Sequence, residues 1–108
     1  MATGILGKAD ILADTDTDIY EVPANAFAVI SINICNRGVD TVKVSIALKD
    51  PEELSVAAQD YIEYEVDVLP SGAFERTGIV LQAGSTVVVR SDTSAVSVLV
   101  HGLETATN

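Results

Sequence analysis

The stretch TVKVSIALK, residues 41–49, decides the fold class. Val42, Val44, Ile46 and Leu48 fill the even positions, and Thr41, Lys43, Ser45, Ala47 and Lys49 the odd ones. Side chains alternate across a strand with period two, so this segment has one apolar and one mostly polar face. A helix would scatter both sets around its circumference. Residues 61–68, YIEYEVDV, repeat the pattern, with Ile62, Tyr64, Val66 and Val68 alternating with Glu63, Glu65 and Asp67. Residues 27–35 are apolar on both faces at first and then alternate. Ala28, Ile30, Ile32 and Ile34 form one row, and Ser31 and Asn33 interrupt the other. This is the pattern of a central strand.

Further short Val- and Ile-rich runs lie at residues 9–13, 19–22, 74–81, 86–90 and 95–100. About eight short strands at hairpin spacing predict an all-β chain. The expected architecture is a single antiparallel β-sandwich with Greek-key or jelly-roll-like connections. The expected domain is residues 9–104, preceded by a flexible arm at 1–8 and followed by a disordered tail at 105–108. The turns carry the expected chemistry. NRG (36–38) and QAG (82–84) suit three-residue bulged hairpins with a left-handed glycine, and PSG (70–72) fixes φ before a permissive residue. One segment breaks the pattern. In DPEEL, Asp50 suits an N-cap, Pro51 the first helical position, and Glu52 and Glu53 the positive end of a helix, which predicts one short helix over residues 51–58.

The 108 residues are one domain's worth of chain, and 48% of them are hydrophobic, enough for a core without staples. Sixteen acids against six bases give a net charge of −10. That balance argues against nucleic acid, whose phosphates need a basic footprint, and against an anionic membrane surface. One cysteine, Cys35, rules out an intrachain disulfide, and its apolar strand predicts a packed residue. No charged-then-apolar leader opens the sequence, and no apolar run reaches the ~18 residues of a membrane span.

The candidate sites are few. Asp14, Asp16 and Asp18 stand at alternate positions, as calcium ligands do in an EF-hand loop. That loop needs glycine at its sixth position and glutamate at its twelfth, where this chain has Ile19 and Asn25. A looser calcium site or a solvated turn remain the two readings. Glu63, Glu65 and Asp67 predict an acidic row on one sheet face, with neighbours about 7 Å apart. His101 is the only histidine, which leaves no histidine pair for a metal and no motif for a triad. No phosphate-binding glycine loop appears. No catalytic residue and no cofactor is expected. The interface candidates are Ile5 and Leu6, flanked by Gly4 and Gly7 and expected to dock on a neighbouring subunit, and Arg37, Arg76 and Arg90 as anchors for ion pairs at a subunit contact.

One order of motifs runs through most of the chain. A strand ends in YEVPA (20–24). AVISINICNRG (28–38) follows, then DYIEYEVDVLPSGAFERTGIVLQAGSTVVVRSD (60–92) and a closing VHGLE (100–104). Over residues 17–104 this resembles small β-sandwich virion proteins of tailed bacteriophages. In these a Pro-ended strand precedes a long central strand with an N-R-G-like turn, and an L-x-A-G-x-x-V-V-V hairpin and a terminal G-x-E follow. The resemblance implies a structural role in a virion, as a capsid decoration (cement) subunit or a tail, collar or fibre component. It implies coat or other virion proteins as partners, a homo-oligomer with a trimer favoured, synthesis in the bacterial cytoplasm, and no catalytic residues. The alternative is a carbohydrate- or receptor-binding module, for which only Tyr20, Tyr61, Tyr64, Phe27 and Phe74 supply aromatic rings.

Overall fold

The structure is a computed structural model that describes residues 3–107. Eight strands follow one another: β1 (Thr3–Ile11), β2 (Thr17–Glu21), β3 (Ala26–Asn36), β4 (Val42–Lys49), β5 (Tyr61–Val68), β6 (Ala73–Leu81), β7 (Thr86–Ser91) and β8 (Val96–Ala106). They form two four-stranded sheets, ordered β1-β8-β3-β6 and β2-β7-β4-β5. All pairings within the sheets are antiparallel. Only β4 and β5 are neighbours both in sequence and in a sheet, and every other connection crosses from one sheet to the other. This is the eight-stranded jelly-roll order, two Greek keys wrapped into a sandwich.

The alternation read from residues 41–49 becomes the core. Val42, Val44 and Ile46 of β4 join Val87 and Val89 of β7 on the inner face of the second sheet. They face Ile30, Ile32 and Ile34 of β3 and Val96, Val98 and Val100 of β8. Branched aliphatic side chains suit this geometry, because they are already restricted at χ1 and pack well on a pleated surface. Complete burial of each is worth roughly 1.5–3 kcal/mol.

The connections differ from the expectation. NRG, PSG and QAG do not close hairpins, because each lies where the chain passes between sheets. A glycine-containing turn specifies a reversal, while the packing of the sheets decides which strand receives the hydrogen bonds. Gly84 does take the left-handed conformation, at φ 85°, but in PSG it is Ser71, at φ 58°, that does so. Among the described residues there is no α-helix, and residues 58–60 form a single 3₁₀ turn, Ala58–Asp60. The DPEEL turn closes on itself instead. The Glu53 amide donates to the Asp50 carbonyl at 3.1 Å, and the Asp50 amide donates to Glu53 Oε1 at 2.9 Å. Glu52, at φ 66°, leaves the right-handed helical region.

Residues 3–8, expected in a flexible arm, belong to β1 and pair with β8. Residues 105 and 106, expected in the tail, extend β8 along β3. Residues 1, 2 and 108 of the expected arm and tail lie outside the described residues.

The four edge strands share one property. Each edge pairing carries a register shift: β1 at Ile5/Gly7, β2 at Asp18/Tyr20, β6 opposite Ile30/Ile32, and β5 opposite Val44/Ile46 and Ile46/Ala47. The central pairings β3–β8 and β4–β7 run without a shift. Bulges bend and twist an edge, so its unpaired backbone groups make a poor template for another strand.

Ala95, just before β8, has φ 71°. Its carbonyl accepts the Arg37 amide at 2.9 Å, which holds it there. Left-handed backbone costs a residue with a β-carbon about 1 kcal/mol that glycine avoids. Ala95→Gly is therefore expected to raise stability by about 0.5–1 kcal/mol in urea denaturation. A loss of stability would mean that the turn is not held in this conformation.

Candidate functional site

The three aspartates are not gathered. Asp14 sits at φ 54° with its amide donating to the Ser91 carbonyl at 2.8 Å. Asp16 accepts from Arg90 of β7 at 3.3 Å, and Asp18 pairs with Lys49 of β4 at 3.5 Å. Two of the three carboxylates thus face cations of this chain, and among the described residues no group of three or more acids, histidines or cysteines is placed to hold a metal ion.

The acidic row of β5 is broken by its bulge. Glu65 has φ 52°, and its amide donates to Ser45 Oγ at 2.9 Å. Just upstream of it Glu63 and Tyr64 change face, and a second shift restores the original facing at Ile62 and Tyr61. Glu63 comes opposite the buried Ile46 and pairs with Arg76 of β6, bridging the two sheets along their shared edge. Arg76 also donates to the Ile62 carbonyl at 3.4 Å. Asp67 stays on the outer face and pairs with Lys43 at 2.9 Å, which raises the lysine's pKa. Tyr64, expected to point inward, is 63% exposed and stacks edge-on against Tyr61 at 4.9 Å between ring centroids.

Arginines expected at a subunit contact make ion pairs within the chain: Arg37 with Asp10 of β1, Arg76 with Glu63, and Arg90 with Asp16. Leu6, expected to dock on a neighbour, packs against this chain's own core, whereas Ile5 is exposed. Consecutive residues of a strand point to opposite faces, which sends this apolar pair to opposite sides of β1. Cys35 is exposed on the outer face of β3, not packed. His101 also lies on that face, with Nε2 3.3 Å from Asn33 Oδ1.

Inside the sandwich, Tyr20 of β2 donates its hydroxyl to Glu104 Oε2 of β8 at 2.5 Å, tying one sheet to the other. Burial raises the tyrosine pKa well above its ordinary value of 10.0, and the Glu104 carboxylate adds to the shift. The folded state therefore favours the neutral phenol. Its stabilisation is complete below pH ~10 and is lost as pH rises through the raised range. Tyr20→Phe is expected to cost about 2 kcal/mol at neutral pH, the scale of a hydrogen bond to a charged group. The variant's stability is expected to fall less steeply than the parent's above pH ~10, which urea titrations at pH 7 and 11 would read.

The two outer faces differ sharply. On the second sheet, Ala47 and Val88 are buried yet stand apart from the core cluster. The 3₁₀ turn Ala58–Asp60 lies against β4, and Leu54, Ser55 and Val56 line a cavity together with Val88. Around it the charges are already paired, Lys43 with Asp67, Lys49 with Asp18 and Arg90 with Asp16.

The first sheet has no such cover among the described residues. Its outer face carries Ile5 at 62% exposure, Val80 at 68%, Leu103 at 44%, Val29 at 38% and Phe27 at 36%. Directly opposed residues form rows across the four strands. One row is Thr3, Leu103, Val29 and Val80, and another is Lys8, Leu99, Asn33 and Glu75. Contiguous exposed apolar surface of this kind marks a contact site. This face was only partly legible in the sequence. Phe27 and Val29 were visible as apolar residues on the wrong parity. The same signal lies in the unbroken IVL at 79–81 and VLV at 98–100, which an alternation reading passes over as strand core.

No family model, no curated protein and no solved structure matches this chain.

Proposed function

We propose that this chain is a non-enzymatic structural protein of a tailed-phage virion, acting as a capsid decoration subunit through protein–protein packing. The observation that carries this reading is the asymmetry of the sandwich. On one sheet the chain's own 50–60 connection lies beside the buried outer-face residue Val88, and the other sheet offers an uncovered apolar face on two regular central strands. Bulged edges leave that face as the surface best suited to contact. The motif order over residues 17–104 supplies the phage assignment, and the jelly-roll order, which recurs in viral capsid domains, supports it by fold-level analogy. Placement in the tail, collar or fibre is the alternative within the same class. Mass spectrometry of purified particles, from the phage whose genome encodes the chain, is expected to find it at a stoichiometry set by particle symmetry. Abundance in the lysate with absence from particles would sink the reading.

The exposed Tyr64 ring, stacked against the half-buried Tyr61, favours a second reading, a carbohydrate-binding module, because sugars dock on exposed rings. Glycan-array binding that disappears in Tyr64→Ala would support it over decoration.

A further inference from the structure

The chain has six basic side chains, and five of them are ion-paired within it: Arg37, Lys43, Lys49, Arg76 and Arg90. The sixth, Lys8, has no ion-pair partner among the described residues, in a chain with sixteen acids. It stands on β1, at one edge of the uncovered face. Glu75, also without a cation among the described residues, stands on β6 at the opposite edge of the same face. Both residues are exposed and belong to one row, Lys8–Leu99–Asn33–Glu75. Three strand spacings of about 4.8 Å separate them, roughly 14 Å, so they do not meet within one chain.

We propose that this face binds a second copy of the chain about a twofold axis parallel to the strands, pairing each Lys8 with the partner's Glu75. An axis midway between β8 and β3 exchanges β1 with β6 and β8 with β3, and keeps each row level with itself. Lys8 then faces the partner's Glu75 on both sides of the contact, and Leu103 faces the partner's Val29 twice at its apolar centre. A twofold axis perpendicular to the strands sets β1 on β1 and β6 on β6, so that no lysine meets Glu75. The charges thus select one of the two symmetric stackings, as rim charges commonly fix register. Face-to-face sheets pack about 10 Å apart, a gap that extended lysine and glutamate side chains bridge together.

The size is adequate. Four strands of about 4.8 Å spacing and a length of roughly 36 Å along β8 give a footprint of about 700 Å² per chain. A standard interface buries about 800 Å² per partner, so the footprint is close to that of a stable dimer. Two chains of net charge −10 repel. At 0.15 M salt, screening over about 8 Å confines that repulsion to the rim. The twofold contact departs from the trimer that the motif resemblance implies. It does not depend on the chain being a virion protein, because it is read on the free protein.

The test is sedimentation equilibrium on the full chain and three variants, Lys8→Glu, Glu75→Lys and the double swap. The parent is expected to be a dimer at roughly 100 µM. Each single variant places like charges together at both rims and is expected to weaken dimerisation at least tenfold. The double swap restores the pairing across the contact and is expected to recover the parent's affinity to within about threefold. A rescue of this kind requires the two residues to meet between chains. A monomeric or trimeric parent overturns the proposal, and so does a double variant no better than the singles.

Discussion

Asn36→Leu is expected to lower the stability of this domain by about 3–5 kcal/mol, which moves its thermal midpoint down by about 15–25 °C. Asn36 is the last residue of β3 and is wholly buried. Its amide nitrogen donates to the Asp40 carbonyl at 2.8 Å, to Val68 at 3.0 Å and to Leu69 at 3.2 Å. Its Oδ1 accepts the Gly38 amide at 2.9 Å, and its own backbone amide donates to Gly72 at 2.9 Å. One side chain therefore ties the end of β3, the β3–β4 crossing and the β5–β6 crossing into a single end of the sandwich. Leucine keeps the branched shape but has no polar atom, so the buried carbonyls and the Gly38 amide lose partners that water cannot replace. Each such loss costs about 1–3 kcal/mol.

Asn36→Asp separates this account from simple packing. The aspartate keeps the acceptor for Gly38 but turns a carboxylate toward three carbonyl oxygens. Its folded pKa is therefore raised, and the variant is expected to be least stable above the ordinary carboxylate range, regaining stability as pH falls and the acid is protonated. Urea titrations at pH 4 and pH 7 read the difference. A leucine variant within about 0.5 kcal/mol of the parent, or an aspartate variant indifferent to pH, would contradict the hub.

Asn36 also shows where sequence reading stops. Its place in NRG suggested a hairpin, because glycine and asparagine advertise a turn. Their residue types carry no information about which strand is paired next. That choice depends on how two sheets bury their common faces, a property of the whole chain. The strands were legible because period-two alternation is local, and all eight expected runs lie within or overlap observed strands. The acidic row of β5 was not, because the bulge at Glu65 turns Glu63 and Tyr64 over before a second shift restores the original facing, and nothing in YIEYEVDV marks either irregularity. Ile5 and Leu6 failed for a different reason, since residues 3–8 form a strand and adjacent strand residues face opposite sides, so the pair cannot dock as one unit. The uncovered face needed three dimensions for another reason. Its rows join β1, β8, β3 and β6, which are distant in sequence, so Lys8 and Glu75 acquire a common face only through the jelly-roll order.

Gly102→Ala is expected to cost about 3–5 kcal/mol, several times the cost of Gly78→Ala, although both glycines sit in strands with positive φ. At Gly78, φ is 73° and an added β-carbon meets nothing within 4 Å. Alanine there bears only the left-handed penalty of about 1–2 kcal/mol. At Gly102, φ is 153° and the same carbon would lie 2.0 Å from the Val29 carbonyl oxygen and 2.8 Å from Ile30 Cα. Both obstacles are backbone of β3, the strand that pairs with β8 from Ala26 to Asn36 without a register shift. No side chain is available to swing aside, so the central pairing of the first sheet must open locally. Leu103, the next residue, pairs with Val29 at the middle of the uncovered face. Displacing β8 there is expected to disturb self-association as well as stability. Thermal unfolding of the two variants side by side supplies the measurement, with a fall of about 15–25 °C for Gly102→Ala and about 5–10 °C for Gly78→Ala. Equal falls would mean that dihedral strain alone governs both sites and that β3 and β8 do not approach as closely at Gly102 as this geometry requires.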